Sequence, residues 1–420
     1  MHIAIDAREL CGRPTGVGRY LSHLLTAWGD MAETRGHRFT LYTPAPIDIQ
    51  TVAPRARALD LVVQVIGGHP GAIWEQIRLA SALRRDRPDV LFAPAYTSPL
   101  RCGVPTVLTV HDISFEAHPE WYRWREGTRL RWLTRRAARA ARLVLTDSEF
   151  SKRELVERMG ISANAIRVIR LGVSEPRPST VRPFDRLGVV PSAVEGGEPQ
   201  GRPKPSRGTT APDAGPSTTP GARASQAERE PLVLFVGSLF NRRRLPDLLS
   251  AFRDLTRTHP GARLEIVGED RTYPHQDLAA LAVRLGIPER VSLRSYVSDE
   301  ELVRLYERAS VFGFLSEYEG FGLTPLEALA AGVPIVVLDT AVARELYGDA
   351  AVYVGRGDVG GTAAALAQLI SDADARRRRL DRAAVVLRGF SWSEAARQTL
   401  EALEAAHSPK PPSGLPHQAS

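Results

Sequence analysis

The chain has 420 residues, of which 43% are hydrophobic and 25% are charged. This length suits two or three domains, and the composition excludes collagen, a coiled coil and a wholly disordered chain. The net charge of +7 is carried by arginine, since only Lys152, Lys204 and Lys410 are lysines. Together with the high alanine content, this is typical of a GC-rich genome, and we expect no nucleic-acid partner.

The N-terminal residues, the short uncharged stretches and the two cysteines indicate a cytoplasmic protein. Asp6, Arg8 and Glu9 stand where a signal peptide needs an apolar core. No uncharged stretch reaches fifteen residues, whereas a membrane span needs about 20. Cys11 and Cys102 cannot build a disulfide framework or a zinc site, which favours a reducing compartment. We therefore expect a cytoplasmic protein that contacts a membrane at most peripherally.

Short apolar runs alternate with helix-length patterns over residues 1–175. Helices are predicted near 17–30, 73–86, 127–142 and 149–159. The strand-like runs are His2–Ile5, Phe39–Tyr42, Leu61–Val65, Val90–Phe92, Thr106–Val110, Leu143–Thr146 and Arg167–Ile169. Strands that alternate with helices predict βαβ units and a mostly parallel sheet.

The alternation stops between 176 and 230, where 27 of 55 residues are Pro, Gly, Ser or Thr. Such a segment cannot bury enough apolar surface to form a core, so we expect a largely disordered linker. The alternation restarts and predicts a second domain over 231–390, with helices near 245–257, 275–286, 299–309, 324–331, 359–370 and 372–388. We expect a helix over 391–406, which could return to the first lobe, and a disordered tail over 407–420. Ligands of such sheets bind beyond the carboxyl ends of the strands, here in the cleft between the lobes.

Two motifs of the first half could face this cleft. Gly16 and Gly18 stand between the first strand and a helix, where closely spaced glycines let a phosphate approach the helix N-terminus. The third glycine of the dinucleotide fingerprint is missing, and a simple tight turn explains the pair equally well. His111 ends a buried strand, where it could take part in proton transfer or serve a structural role.

The second half holds the most informative motifs. Arg242 and Arg243 lie in an arginine run between a strand and a helix, which is either a diphosphate clamp or solvated surface. The segment 316–328 contains Glu319, Gly320 and Gly322 and leads into a helix through Pro325, a preferred first helical position. Glu327 fits a capping box with Thr324, which needs no ligand, whereas Glu319 has no comparable structural explanation.

Together these pieces resemble the retaining glycosyltransferases of family 4, which have the α/β GT-B fold with two Rossmann-like lobes facing a central cleft. The resemblance covers nearly the whole chain outside the linker and tail. It rests on IDAR with GVGRY, HDISFEAHPEW, LTDSEFSKREL, VIRLGV, LVLFVGSLFNRRRL, YVSDEELVRLYERAS and EGFGLTPLEALAAGVPIV. The last stretch matches the E-x7-E motif of the family through Glu319 and Glu327.

The resemblance implies a role for each matching residue. Glu319 and His111 would act at the donor sugar, and Glu327 would bind the ribose hydroxyls. The donor-binding set would be Gly16, Ser238, Arg242, Arg243, Val297, Phe321, Gly322, Leu323 and Glu327. Within it, the backbone N–H groups of 321–323 and the two arginines would hold the diphosphate, and Val297 would lie beside the base. Arg243 replaces the usual lysine, which keeps the charge but changes the geometry.

The implied activity is retaining transfer of a mannose- or glucose-type hexose from a GDP- or UDP-sugar to a glycan, lipid-linked or small-molecule acceptor. The first domain would bind the acceptor, and no cofactor or metal is expected. Alternatives are a GT-B-like epimerase or phosphorylase and a non-catalytic two-lobed protein that binds sugar nucleotides. A D-x-D pair at Asp372 and Asp374 lies in a surface-helix pattern that does not suit a metal. The arginine- and tryptophan-rich stretch 121–142 is either an ordinary cleft-side helix or a peripheral membrane contact.

Overall fold

The computed structural model describes residues 1–12, 16–173 and 231–408. The predicted linker and nearly all of the predicted tail lie outside these ranges. Two parallel sheets organise the chain, one of seven strands in the order β3-β2-β1-β4-β5-β6-β7 and one of six in the order β10-β9-β8-β11-β12-β13. This arrangement confirms the predicted pair of Rossmann-like α/β lobes.

The strands of both sheets are short and mostly buried. In chain order they are β1 His2–Asp6, β2 Arg38–Thr43, β3 Asp60–Val65, β4 Val90–Ala93, β5 Thr106–Thr109, β6 Leu143–Thr146, β7 Ile166–Val168, β8 Leu232–Val236, β9 Arg263–Val267, β10 Val291–Arg294, β11 Val311–Phe314, β12 Ile335–Leu338 and β13 Ala351–Val354. Central strands such as β4, β5, β11 and β12 are buried along their whole length. Helices cover both faces of a parallel sheet, and this explains why the sequences of these central strands are continuously apolar.

The helices connect the parallel strands. They are α1 Gly16–Asp30, α2 Ile49–Val52, α3 Ala80–Asp86, α4 Ser114–Ala117, α5 Trp124–Ala140, α6 Glu149–Met159, α7 Leu245–Leu255, α8 Leu278–Arg284, α9 Asp299–Arg308, α10 Leu323–Ala330, α11 Ala341–Tyr347, α12 Val359–Ser371, α13 Ala373–Leu387 and α14 Trp392–His407. Several begin at a side chain that accepts a backbone N–H, as Ser148 does for α6 and Ser298 for α9.

The structure differs from the sequence pattern in several helices, including the following three. The helix predicted over 73–86 contains a π-helical turn at Trp74–Leu79 before α3. The helix predicted over 275–286 is shorter, because Asp277 caps α8 and Leu278 is its first residue. The seven residues of α11 were not predicted, since a helix this short has no recognisable apolar period.

The last helix, α14, packs against α1 of the first lobe. The indole Nε1 of Trp28 on α1 donates a hydrogen bond to the backbone oxygen of Ala396, 2.9 Å away. His23 on α1 stacks on Trp392 with ring centroids 4.4 Å apart. The chain thus crosses to the second lobe and returns. None of the helices in the described ranges has the length and apolarity needed to cross a bilayer.

Candidate active site

The loop between β11 and α10 lies where the two lobes meet. α10 begins at Leu323 with Gly322 as its N-cap, and Gly322 has a φ of +82°, which favours glycine. The sequence predicted that Pro325 would be the first helical residue, but it is the third. The capping box of Thr324 and Glu327 is not formed either, because the helix starts before Thr324 and no side chain caps it. The first N–H groups of α10 thus remain open to an anion.

Gly320 in this loop touches the first lobe directly. A Cβ atom built on Gly320 would lie 1.8 Å from the backbone oxygen of His111, so only glycine permits this approach. The hydroxyl of Ser148, at the start of α6, donates a hydrogen bond to the Gly320 backbone oxygen at 2.6 Å. The carboxyl edges of the two sheets therefore face each other across this contact.

Glu319 projects into a cluster of charged groups of the second lobe. Its Oε1 atom accepts a hydrogen bond from the Ser316 hydroxyl at 2.5 Å. The same oxygen lies 3.0 Å from Arg243 Nη1 and 3.7 Å from Arg242 Nε. Glu319 is thus held beside both predicted phosphate ligands at the entrance of α10.

Arg242 and Arg243 have side chains that are only 11% and 12% exposed, and their guanidinium groups have spare hydrogen-bonding capacity. Each lies over an aromatic ring at 4.4 Å from its centroid, Arg242 over Phe240 and Arg243 over Phe314. Among the described residues, the Nε atoms of both arginines have no hydrogen-bond acceptor. Buried N–H groups without partners are rare and costly, so this pair is suited to an anionic ligand.

The surroundings shift the pKa values of these two groups in opposite directions. Burial, with Arg242 adding to it, lowers the pKa of Arg243 to about 10, although Glu319 opposes this change. Burial also acts against the charge of Arg242, but the carboxylates of Glu319 and Asp112 outweigh it and raise the pKa of Arg242. Both guanidinium groups therefore remain charged at neutral pH.

His111 turns its ring into the first lobe. Nδ1 lies 2.7 Å from Asp147 Oδ2, and Nε2 lies 3.0 Å from the backbone oxygen of Pro94. Burial tends to lower the pKa of His111, but Asp147 and the Pro94 carbonyl outweigh it and raise the pKa. Both ring nitrogens are engaged, which does not suit the predicted proton transfer by the ring. The His111 backbone oxygen, in contrast, points to the Gly320 loop.

Glu327 forms an ion pair across the cleft. Its Oε1 atom accepts a hydrogen bond from Arg19 Nη2 of α1 at 2.6 Å. Glu327 is buried and Arg19 is half exposed. Arg19 was not predicted as a site residue, although its position directly after Gly18 in GVGRY was the available signal.

The other predicted donor-binding residues lie after a strand or at the start of a helix. Gly16 begins α1 and is exposed, while Ser238 follows β8 and precedes the arginines. Val297 lies between β10 and α9 and packs against the core. Phe321 is buried edge-on against Phe390 with centroids 5.5 Å apart, which leaves its backbone and not its side chain for a ligand.

Three first-lobe residues near Arg242 were not predicted from the sequence. Asp112 raises the pKa of Arg242, and the Tyr122 hydroxyl pairs with the same guanidinium. The Tyr96 hydroxyl lies 3.4 Å from Asp112 Oδ2. These residues extend the polar surface from Glu319 onto the first lobe, where an acceptor would lie.

The D-x-D pair has a structural use. Asp372 is the N-cap of α13 and accepts the backbone N–H groups of Asp374 and Ala375. Asp374 is paired with Arg377 at 2.6 Å. Within the described ranges, no group of three or more His, Cys, Asp or Glu side chains could hold a metal ion.

Two family models match the chain, one to each lobe. Residues 14–177 match Glycosyltransferase Family 4, and residues 222–385 match Glycosyl transferases group 1. The chain belongs to the family 4 glycosyltransferases. This confirms the family predicted from the sequence and does not favour an epimerase, a phosphorylase or a binding protein without turnover.

Individual proteins that are similar to this chain agree with this assignment. The O-antigen chain mannosyltransferase B of Escherichia coli is 26% identical over 332 residues, which are 77% of this chain and 76% of that protein. The glycogen synthase of Mycobacterium tuberculosis is 28% identical over 332 residues, 76% of this chain and 69% of that protein. This family 4 glycosyltransferase is a hexosyltransferase that uses a nucleotide-sugar donor.

Solved structures confirm the GT-B fold. The Anabaena protein HepE, solved with UDP and glucose, superimposes with a TM-score of 0.68 at 18% identity, over 96% of this chain and 100% of that chain. WaaG, a glycosyltransferase involved in lipopolysaccharide biosynthesis, gives a TM-score of 0.65 at 14% identity, over 96% and 99% of the two chains.

Proposed function

We propose that this glycosyltransferase transfers a mannose- or glucose-type hexose from a nucleotide-diphosphate sugar with retention of configuration and without a metal ion. The acceptor would be a glycan, a lipid-linked sugar or a small molecule bound by the first lobe. The observation that carries the proposal is the pair of largely buried arginines beside Glu319 at the open N-terminus of α10.

The diphosphate fits this arrangement for electrostatic reasons. The Nε atoms of Arg242 and Arg243 lack acceptors among the described residues, and the N-terminus of α10 favours an anion. As the bond from the sugar to the phosphate breaks, negative charge grows on the departing oxygen. Preorganised guanidinium and backbone N–H groups stabilise such charge without a metal ion.

Retention of configuration is supported by where the polar groups stand. An inverting enzyme needs a base on the face of the sugar opposite the leaving group. Glu319 instead lies on the diphosphate side, paired with Arg243 at 3.0 Å, where it would orient the sugar hydroxyls. The acceptor oxygen would attack from the leaving-group side, and the departing phosphate oxygen would take its proton. His111 would stabilise the reacting sugar from the first lobe, where Asp147 holds its ring and its backbone oxygen accepts a hydrogen bond from the Ser151 hydroxyl.

The choice of donor is supported only by relatives. The mannosyltransferase B of Escherichia coli is similar over most of the chain, and this favours GDP-mannose. The HepE structures contain UDP-glucose or UDP with glucose, which keeps UDP-glucose as the second candidate.

The proposal is tested by incubating the purified chain with GDP-mannose, UDP-glucose and other nucleotide sugars without acceptor. Slow hydrolysis of one donor after EDTA treatment is expected, and NMR of a transferred product should show an α-linkage from an α-linked donor. A β-linked product would contradict retention, and full dependence on magnesium or manganese would contradict metal independence. Arg242→Ala/Arg243→Ala should lose nucleotide affinity, because each charge-assisted contact contributes roughly 1.5–3 kcal/mol.

We propose further that the cytoplasmic enzyme contacts an anionic membrane surface through 121–142. On α5, Trp124 and Trp132 are 76% and 52% exposed. They share one face with the exposed residues Arg125, Arg129, Arg136 and Arg139. Arginines with interfacial tryptophans suit the headgroup region of an anionic bilayer.

Vesicle sedimentation tests this surface. Binding to phosphatidylglycerol vesicles should exceed binding to phosphatidylcholine vesicles, and it should fall in Trp124→Ala/Trp132→Ala. Equal binding by both vesicle types, or none, would contradict the membrane contact and leave α5 as an ordinary surface helix.

A further inference from the structure

The ion pair of Arg19 and Glu327 joins two elements that are far apart in the chain. Arg19 lies on α1 of the first lobe, and Glu327 lies on α10 of the second, 308 positions further along. The Nη2–Oε1 distance is 2.6 Å. The bond can exist only when the lobes are together, so it reports the closed arrangement of the cleft.

Arg19 uses only one oxygen of the carboxylate. Its Nη2 atom donates a hydrogen bond to Oε1 of Glu327, so Oε2 is not needed for the ion pair. A carboxylate has about four acceptor positions, so Oε2 retains the capacity to receive two hydroxyl protons. The ribose of a nucleotide presents two adjacent hydroxyls, which such an oxygen can accept together.

The charge of Arg19 also matters at this place. Glu327 is buried, and a buried carboxylate without a partner is strongly disfavoured. Glu327 in turn raises the pKa of Arg19, although burial opposes this effect. With Arg19 in place, the pair presents no net negative charge near the diphosphate of a bound nucleotide.

We propose that Arg19 is a positioning residue of the nucleotide site that the first lobe supplies. It fixes the Glu327 carboxylate through Oε1, so that Oε2 accepts the ribose hydroxyls when the lobes close. This inference rests on the proposed function and on the prediction from the sequence that Glu327 binds the ribose. It adds that the ribose-binding group is complete only in the closed protein, which couples nucleotide binding to closure.

Isothermal titration calorimetry on the full chain tests this proposal. The probe is the one of UDP, GDP and ADP that the wild-type protein binds most tightly, together with its 2′-deoxy counterpart. The variants are Arg19→Ala, Arg19→Lys, Glu327→Gln and the double variant Arg19→Ala/Glu327→Gln. Arg123→Ala is the matched control, because Arg123 also reaches across the cleft, over the Tyr273 ring at 5.9 Å, without touching Glu327.

We expect Arg19→Ala to weaken binding of the ribonucleotide by about tenfold, the size of one charge-assisted contact. Binding of the 2′-deoxynucleotide should weaken less, so that the preference for ribose falls. Arg19→Lys should restore part of the affinity, and the double variant should be no weaker than Glu327→Gln alone. The control should bind like the wild type.

Three results would overturn the role of Arg19. These are unchanged affinity in Arg19→Ala, an equal loss for both nucleotides, and additive losses in the double variant. The last two would mean that Arg19 acts on another part of the nucleotide and not through Glu327. A wild-type protein that binds none of the three nucleotides would instead contradict the proposed function itself, which separates the two failures.

Discussion

Glu319 is the side chain on which the proposed chemistry depends most directly. Its carboxylate is held by Ser316 at 2.5 Å and by Arg243 at 3.0 Å, so its position is defined before any substrate arrives. A polar group placed in this way contributes to the transition state without reorganisation.

We predict that Glu319→Gln lowers kcat by about 10²–10⁴-fold, the range typical of a positioned polar group. Steady-state kinetics with the donor identified by hydrolysis measures the effect. Glu317→Gln is the control, because Glu317 lies in the same loop but pairs with Arg244 and Arg356. A Glu319→Gln enzyme as fast as the wild type would remove this residue from the mechanism.

His111 shows how a site residue can also stabilise the fold. Its raised pKa means that the folded protein binds the proton more tightly than the unfolded chain does. The resulting stabilisation is fully present below the ordinary pKa of 6.5 and is lost as the pH rises through the raised value.

We therefore predict a pH-dependent penalty for His111→Gln. The difference in the free energy of unfolding between wild type and variant should be largest near pH 6 and smaller near pH 9. Urea unfolding followed by circular dichroism at both values measures it. A difference that grows with pH would show that the imidazolium does not stabilise the fold.

The loop before α10 acts at the scale of secondary-structure elements. It brings the carboxyl edge of β11 against the carboxyl edge of β5, and the contact is made by backbone atoms of Gly320 and His111. Both partners in this contact are backbone atoms. A side-chain atom added at Gly320 must therefore displace the loop or the segment that holds His111.

Gly320→Ala should separate the two lobes at this point. Its Cβ atom would lie 1.8 Å from the His111 backbone oxygen, so the loop must shift. Overpacking of this kind costs about 1–3 kcal/mol, and we expect a large fall in kcat with a modest fall in Tm. Gly261→Ala is the control, because its Cβ would have no neighbour closer than 4.0 Å. If Gly320→Ala kept wild-type turnover, close approach of this loop would not be required.

At the scale of the whole molecule, the two lobes contact each other directly. The contacts are made by described residues that precede and follow the predicted linker. Both carboxylate oxygens of Glu345 on α11 accept backbone N–H groups at the start of α6, from Glu149 at 2.7 Å and Phe150 at 2.9 Å. The glutamate thus caps a helix of the opposite lobe, where a negative charge is favoured. These contacts do not use the linker.

Residues 192–229 should therefore be dispensable for chemistry. Replacing them with a short Gly/Ser segment should leave donor hydrolysis and Tm near the wild-type values, because the cost of loop closure changes only slowly with length. Hydrolysis kinetics and thermal unfolding of the shortened chain check this. Loss of turnover in a variant that still folds would mean that the segment contributes to the site.

The class of fold and the family follow from the amino-acid sequence alone. Alternation of buried strands and helices depends on neighbours a few residues apart, so it predicted two parallel α/β lobes, and the E-x7-E stretch identified the glycosyltransferase. The tertiary structure alone decided which partner each site residue meets. Glu327 pairs with Arg19 and not with Thr324, His111 turns its ring to Asp147, and α14 packs against α1. These contacts join distant segments, and packing of the whole chain selects them, so no local pattern encodes them.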